Sequence, residues 1–308
     1  MENKNLQAGI LQYAPEFLNL ESSVEKLADL LSLAKNEKLE LAVLGECWLS
    51  GYPAWLDHCP GAALWNKAEA KAIWQQFYLN SVVVGSKHTD FISKLCKDYG
   101  IYLVIGVNER VDSGVGQGTV YNSLLTFGKD GQLLNHHRKL MPTYSEKLLY
   151  GLGDARGLKS IETEWGKLGG LICWEHWMPL SRQALHNSGE EVHVAVWPGV
   201  HEMHQTASRH YAFEGRCFVL AAGQLLKAKD LPAGLELPAD AYTEDSLLLN
   251  GGSAIYAPNG NCIAGPLYNS EGIVAAELSL HQCIQERMTL DVSGHYQRPD
   301  VFDFRVKI

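Results

Sequence analysis

The chain has 308 residues, with 26 Lys and Arg against 35 Asp and Glu, a formal charge of −9, and it is 46% hydrophobic and 20% charged. That composition belongs to a globular protein long enough to bury a sizeable core, and it excludes a disordered or fibrous chain. The acidic balance argues against a nucleic-acid surface, which needs clustered Lys and Arg, and no run reaches the ~18 consecutive apolar residues of a membrane span.

Residues 6–12 are a predicted strand, after which Val24, Leu27, Ala28, Leu31 and Ala34 recur at helical spacing. Residues 39–44 form a short apolar run of the buried-strand kind, ending in Gly45-Glu46. Phe91, Ile92, Leu95 and Tyr99 mark a second amphipathic helix, and 102–107 a third strand. This β-α-β-α-β order predicts an α/β fold with helices packed on a sheet. Residues 121–127 and 132–137 read as a hairpin across Gly128-Lys129-Asp130-Gly131. A second β-α-β stretch follows: strand 167–173, helix 179–187 with Pro179 in its first turn, and strand 193–197. Residues 206–216 are helical and 218–222 are another strand. The stretch 226–249, with two prolines and mixed polarity, reads as a long surface loop. Residues 253–257 and 262–264 form a late hairpin across Pro258-Asn259-Gly260-Asn261. The two hairpins imply two halves of similar plan, each giving one sheet. The expectation is two sheets packed face to face with helices outside, in one domain spanning 1–308, since no Pro/Gly/Ser-rich linker separates the halves.

The polar start Met1-Glu2-Asn3-Lys4-Asn5 lacks the basic-then-apolar plan of a signal peptide. Seven cysteines, at 47, 59, 96, 173, 217, 262 and 283, form no CxxC pair. A cytoplasmic protein with reduced thiols is expected, in which one thiol could do chemistry.

Cys173 ends the apolar run Gly169-Gly170-Leu171-Ile172 and precedes Trp174-Glu175-His176-Trp177-Met178-Pro179. A thiol at a strand-to-helix junction has backbone N–H groups nearby, which lower its pKa and can serve an oxyanion. A buried structural cysteine is the other reading of this position. Glu46 sits at a similar strand end and is either a general base, its pKa raised by apolar neighbours, or a capping or salt-bridged acid. Lys139 closes His136-His137-Arg138-Lys139, a cationic run that would usually be a solvated face. The apolar Leu140-Met141-Pro142 follows at once, which lets the lysine point into a pocket. Glu146 comes seven residues later. Acid, lysine and cysteine all lie at carboxyl ends of strands, where sites collect in α/β folds.

Glu46, Lys139 and Cys173, in this order, resemble the Glu-Lys-Cys triad of the carbon-nitrogen hydrolase superfamily. The string His137-Arg138-Lys139-Leu140-Met141-Pro142-Thr143-Tyr144-Ser145-Glu146 is similar to the nitrilase branch, as are Cys173-Trp174-Glu175-His176-Trp177-Met178-Pro179-Leu180 and Trp197-Pro198-Gly199. The resemblance runs from Leu6 to about Arg298-Pro299-Asp300. It implies the four-layer αββα sandwich of the carbon-nitrogen hydrolase type. It also implies Cys173 as nucleophile, Glu46 as proton acceptor, Lys139 as stabiliser of developing charge, and Glu146 as a second acid that positions substrate or lysine. No metal and no organic cofactor is implied. The implied partner is a small-molecule nitrile, and the implied assembly is a homodimer or larger homo-oligomer. Two features depart from the pattern. Tyr150 stands where many nitrilases have Trp before Gly151-Leu152-Gly153-Asp154, and the chain ends at Ile308 where many carry a longer tail. The second argues against long spiral assembly, though not against dimerisation.

Trp174, Tyr52, Trp55, Tyr144 and Trp197 cluster around the triad strings and are the candidates for lining an apolar pocket, with core packing as the other reading of each. His176, after Cys-Trp-Glu, leans towards the nitrile or cyanide branches by resemblance. His201-Glu202-Met203-His204 is one residue short of a HExxH zinc motif, and Gly114-Val115-Gly116-Gln117-Gly118 reads as a hairpin loop. Cys47 lacks the strand-end position of Cys173. A nitrilase is the expected activity. An amidase or cyanide-converting enzyme on the same scaffold, and a silent binding or assembly module, are the alternatives.

Overall fold

The computed structural model describes residues 5–232, 234–238 and 240–308. In chain order its regular elements are β1 (Asn5–Gln12), α1 (Leu20–Asn36), β2 (Leu41–Leu49), α2 (Trp55–His58), α3 (Ala68–Leu79), α4 (Lys87–Tyr99), β3 (Tyr102–Arg110), β4 (Val120–Phe127), β5 (Leu133–Arg138), β6 (Ile161–Glu162), β7 (Lys167–Ile172), α5 (Pro179–Asn187), β8 (Val192–Val196), α6 (Glu202–Gly215), β9 (Phe218–Ala222), β10 (Leu225–Lys227), β11 (Leu247–Tyr256), β12 (Cys262–Tyr268), β13 (Gly272–Ser279) and α7 (His281–Arg287).

The strands form two mixed sheets. One runs β13-β1-β2-β3-β4-β5; the other runs β10-β11-β9-β8-β7-β6, with β12 also paired to β11. Parallel pairs sit at the centre of each, β1 with β2 and β2 with β3, and β7 with β8 and β8 with β9. Central parallel strands are covered on both faces, which is why they read as unbroken apolar runs.

The faces follow the two-residue period of a strand. Leu41, Val43, Val104 and Leu124 turn towards the second sheet and join Val194, Leu220 and Ile255 in one buried cluster. The alternate residues, Ala42, Leu44, Leu103, Ile105 and Leu125, turn outwards and pack under Leu27 and Leu31 of α1 and Ile92 and Leu95 of α4. On the far side, Ala184 and Leu185 of α5 and Ala207, Tyr211 and Ala212 of α6 cover the second sheet. The layers are thus helix, sheet, sheet, helix, the αββα sandwich expected.

Local signals place the ends. Asn19 caps α1 by accepting the Ser22 N–H, and α4 stops at Gly100 in the left-handed conformation, φ 65°. The strand predicted over 167–173 stops at Ile172, because Cys173 has φ 54° and leaves the extended region. The helix predicted from 206 starts at Glu202 and ends at Gly215, where Arg216 turns left-handed. Within the predicted loop 226–249 lie the end of β10 and the start of β11. The Gly-rich segment 114–118 lies between the antiparallel strands β3 and β4 as the expected hairpin loop. α2, α3, β6, β13 and α7 are not among the elements predicted from the sequence. α3 buries only Ile73 and Phe77, and β13 only Val274 and Leu278, so their periodic signal is thin.

Candidate active site

Glu46, Lys139 and Glu146 come from the first sheet and its connections, and Cys173 from the second. β2 carries Glu46 in an irregular stretch, since its register with β3 shifts between Leu44 and Leu49 and Cys47 has φ 55°. Gly106 of β3 makes room for it: a Cβ there would lie 2.8 Å from the Glu46 Cα and closer still to the Gly45 and Cys47 backbone. Glu46 is further held by its own N–H donating to the Trp197 carbonyl at 3.3 Å and by Gln224 Nε2 donating to its carbonyl.

Lys139 follows β5 directly, its N–H donating to the Asn122 carbonyl at 2.8 Å. Its Nζ, 1% exposed, donates to Glu46 Oε1 at 2.9 Å and to Glu146 at 2.7 and 3.0 Å. Glu146 also accepts the Tyr52 hydroxyl and the Thr143 N–H, each at 2.9 Å. Glu46 Oε1 accepts a second bond from Asn122 Nδ2 at 2.7 Å, while Glu46 Oε2 is buried without any hydrogen-bond partner. A carboxylate oxygen of Glu46, one of Glu146 and the Cys173 Sγ lie within 4.8 Å of one another. Three such ligand atoms could hold a cation, but the Lys139 ammonium already bridges the two carboxylates.

Burial dominates the electrostatics here. It lifts the Glu46 carboxyl to about 7, the Glu146 charge adding to the rise and Lys139 and Asn122 opposing it. Burial and the Glu46 charge likewise push the Cys173 thiol well up, against the pull of Lys139. Burial would lower Lys139, but Cys173, Glu46 and Glu146 together keep it well above the ordinary lysine range. The resting arrangement is therefore a neutral thiol, a fixed cation and a carboxylate with one free oxygen. That set can take the thiol proton and offer positive charge to an anion forming beside the sulfur.

Glu175 joins the two sides. Its carboxylate accepts the N–H of Ile172, just before Cys173, and of Leu140, just after Lys139, both at 2.8 Å, and it meets His137 Nε2 at 2.9 Å.

The aromatic candidates divide. Tyr52 reaches the site through Glu146, Trp174 is half exposed beside Cys173, and Tyr144 is 87% exposed in the short 3-10 turn that carries Glu146. Trp55 is in the core, edge-on to Phe17 and Phe77. Trp197 is fully buried and stacks on His176 and His204. His176 is buried too, its Nδ1 donating to the Cys173 carbonyl at 2.7 Å. His204, of the near-miss zinc motif, donates to the Gly199 carbonyl instead. Cys47 is buried with its thiol against the Tyr150 hydroxyl, 3.4 Å away. Asn122 and Gln224 were missed from sequence; an Asn within a strand that is apolar at Leu124, Leu125 and Phe127 was the one available signal.

A thiol, a carboxylate and an ammonium buried together at strand ends of an αββα sandwich define a thiol-dependent hydrolase. The chain belongs to the carbon-nitrogen hydrolase family, whose model, described as Carbon-nitrogen hydrolase, matches residues 7–288. It is 37% identical over 299 residues to "Nitrilase 2" of an unknown prokaryotic organism, covering 97% of this chain and 91% of that one. It is 34% identical over 307 residues to the "Bifunctional nitrilase/nitrile hydratase NIT4A" of Lupinus angustifolius, covering 98% and 86%. Among solved structures, the carbon-nitrogen hydrolase from Helicobacter pylori G27 shares the fold with a TM-score of 0.74 at 22% identity, covering 98% of both chains.

Proposed function

We propose that this protein is a nitrilase that converts a nitrile and two waters into a carboxylic acid and ammonia. The Glu46 carboxylate beside the Cys173 thiol, its buried Oε2 left without a hydrogen-bond partner, carries the reading, together with relatives named as nitrilases over nearly the whole chain. Cys173 Sγ attacks the nitrile carbon while Glu46 takes its proton, which then passes to the nitrogen to give a thioimidate. Water adds to the thioimidate carbon, the nitrogen leaves as ammonia, and a thioester remains. A second water, deprotonated by Glu46, displaces the sulfur and releases the acid. Lys139 and the Trp174 N–H are the donors to the tetrahedral intermediates. Glu146 holds Lys139 in place, and Tyr52, Tyr144 and Trp174 shape the entry to the pocket.

A thiol nucleophile must stay reduced, which supports a cytoplasmic working place for a protein whose seven cysteines are all free. No helix among the described residues is long and apolar enough to cross a membrane. Exposed Leu180 on α5 and Met203 and Phe213 on α6 support a homodimer or larger homo-oligomer.

The test is ammonia release from benzonitrile, phenylacetonitrile, butyronitrile, the matching amides and cyanide. Nitrile turnover that disappears in Cys173→Ala, with the fold kept, is the expected result. Activity on amides alone overturns the nitrilase reading. So does retention of more than about a hundredth of the activity in Cys173→Ala, given that loss of a nucleophile costs far more than that.

A further inference from the structure

A buried polar chain runs from the backbone of Cys173 into the layer between the second sheet and α6. His176 Nδ1 meets the Cys173 carbonyl at 2.7 Å, His176 Nε2 and His193 Nε2 lie 3.0 Å apart, and His193 Nδ1 meets Glu190 Oε2 at 2.8 Å.

Donor and acceptor chemistry fixes the protons of this chain. A carbonyl oxygen only accepts, so His176 Nδ1 carries a hydrogen. Glu190 accepts the Tyr211 hydroxyl through Oε1. Burial alone would raise its carboxyl, but His193 and His186 hold it at about 2. Its Oε2 is therefore an acceptor as well, and His193 Nδ1 carries a hydrogen. The two Nε2 atoms need one further proton between them. Four ring nitrogens thus hold three protons, which makes one imidazole and one imidazolium countered by Glu190. Burial and the neighbouring His193 hold His176 well below the ordinary imidazole range, and the Glu190 carboxylate that counters the pair's charge lies on the far side, against His193 Nδ1. Losing the shared proton would set two lone pairs face to face at 3.0 Å, and gaining another would oppose two N–H groups.

The other groups around the pair come from several elements. Tyr211 of α6 stacks on His193 with ring centroids 3.8 Å apart, and His186 of α5 approaches Glu190 at 3.3 Å. Arg182 of α5 donates to the His176 carbonyl at 3.1 Å and pairs with Glu214 of α6. Arg287 of α7 donates to the Glu190 carbonyl at 3.0 Å, and the buried Cys217 thiol lies within reach of the Glu190 charge.

Cys173 holds a left-handed backbone conformation that costs a non-glycine residue energy, so something must fix it. In a planar trans peptide the carbonyl and the following N–H point to opposite sides. Fixing the Cys173 carbonyl therefore fixes the direction of the Trp174 N–H. We infer that the His176–His193–Glu190 chain positions the Trp174 N–H as oxyanion donor and, through its shared proton, polarises the Cys173–Trp174 peptide. The inference rests on the hydrolytic reading above. These three are positioning residues, since none touches the reacting atoms. Hydrogen bonds in series strengthen one another, so a cation at the far end makes the near N–H a better donor.

The test combines three measurements on the intact protein and on His193→Asn. In the wild type, proton NMR should show strongly deshielded imidazole N–H resonances that vanish in the variant. With phenylacetonitrile, kcat should fall roughly tenfold or more with KM unchanged, because the donor acts only once charge has developed. Alkylation of Cys173 by iodoacetamide, which needs no oxyanion donor, should keep its wild-type rate. If His193→Asn does not fold, His176→Asn carries the same expectations. A wild type active on phenylacetonitrile but without the resonances overturns the inference, as does a folded variant with wild-type kcat. A wild type that shows the resonances and labels at Cys173, yet hydrolyses neither nitriles nor amides, overturns the hydrolytic reading, and the donor role falls with it.

Discussion

The Glu175 carboxylate reaches across the site to accept the backbone N–H of Leu140 at 2.8 Å. Through its other oxygen it also holds Ile172, so one buried side chain sets the spacing between the lysine's strand and the nucleophile's strand. Glu175→Ala leaves two buried N–H groups and His137 without their acceptor. Each buried group left unpaired costs about 1–3 kcal/mol. The urea midpoint should fall accordingly, and Glu175→Gln, which keeps one acceptor oxygen, should fall less.

Glu46 gives the acid limb of the pH profile. Its carboxyl must be ionised to take the thiol proton, and burial lifts it to about 7. Turnover should therefore rise with pH through this region, read as kcat/KM against pH, which reports the free enzyme. Glu46→Gln should lose activity even at saturating substrate. If only KM changes, Glu46 binds substrate and is not the base.

Lys139→Met removes the cation between two buried carboxylates. Breaking a buried pair from one side costs about 3–5 kcal/mol. The remaining carboxyls then favour their protonated forms in the folded state more than in the unfolded one. A carboxyl raised on folding contributes stability at acid pH and loses it as pH rises. The deficit of the variant against wild type, measured by thermal melts, should thus be larger at pH 8 than at pH 5.

Glu109 shows the opposite sign. It is buried, and although burial would raise it, hydrogen bonds from His136, Arg138 and Ser123 hold its carboxyl at about 2 against an ordinary 4.5. Stability from this group is present above about 4.5 and is lost as pH falls towards 2. The linked contribution is on the order of 3 kcal/mol. Glu109→Gln should melt lower at neutral pH and show a flatter acid limb, measured by denaturation from pH 7 to 3.

How much of this was visible in the sequence follows from the range of each interaction. Glu46 and Cys173 stood at the ends of apolar runs and Lys139 at the end of a hairpin strand, and strand ends are local features. The alternation of Leu41, Ala42, Val43 and Leu44 between the two buried clusters was equally local once two covered sheets were assumed. Asn122 beside Glu46 depends instead on the pairing of β4 with β3 and on how the irregular end of β2 sits beside β3. The chain His176–His193–Glu190 depends on α6 closing over β8. Neither leaves a periodic mark in the residues concerned. Trp55 and Trp197 make the same point: adjacency to a motif does not say whether a ring faces a cavity or the core.

The division of the site between two sheets has a mechanical result. The nucleophile rides on one sheet and the base and cation on the other, so the gap from sulfur to carboxylate is measured out by the side chains packed between the sheets. Leu124 of β4 lies in that interlayer, facing Gly170 of β7, and Leu31 lies in the outer layer, both buried. Truncating either to Ala should cost a comparable ~2–5 kcal/mol. Only Leu124→Ala should also lower kcat, because only there does a void let the two halves of the active site slide out of alignment. The interlayer core acts as a gauge block as much as a source of stability.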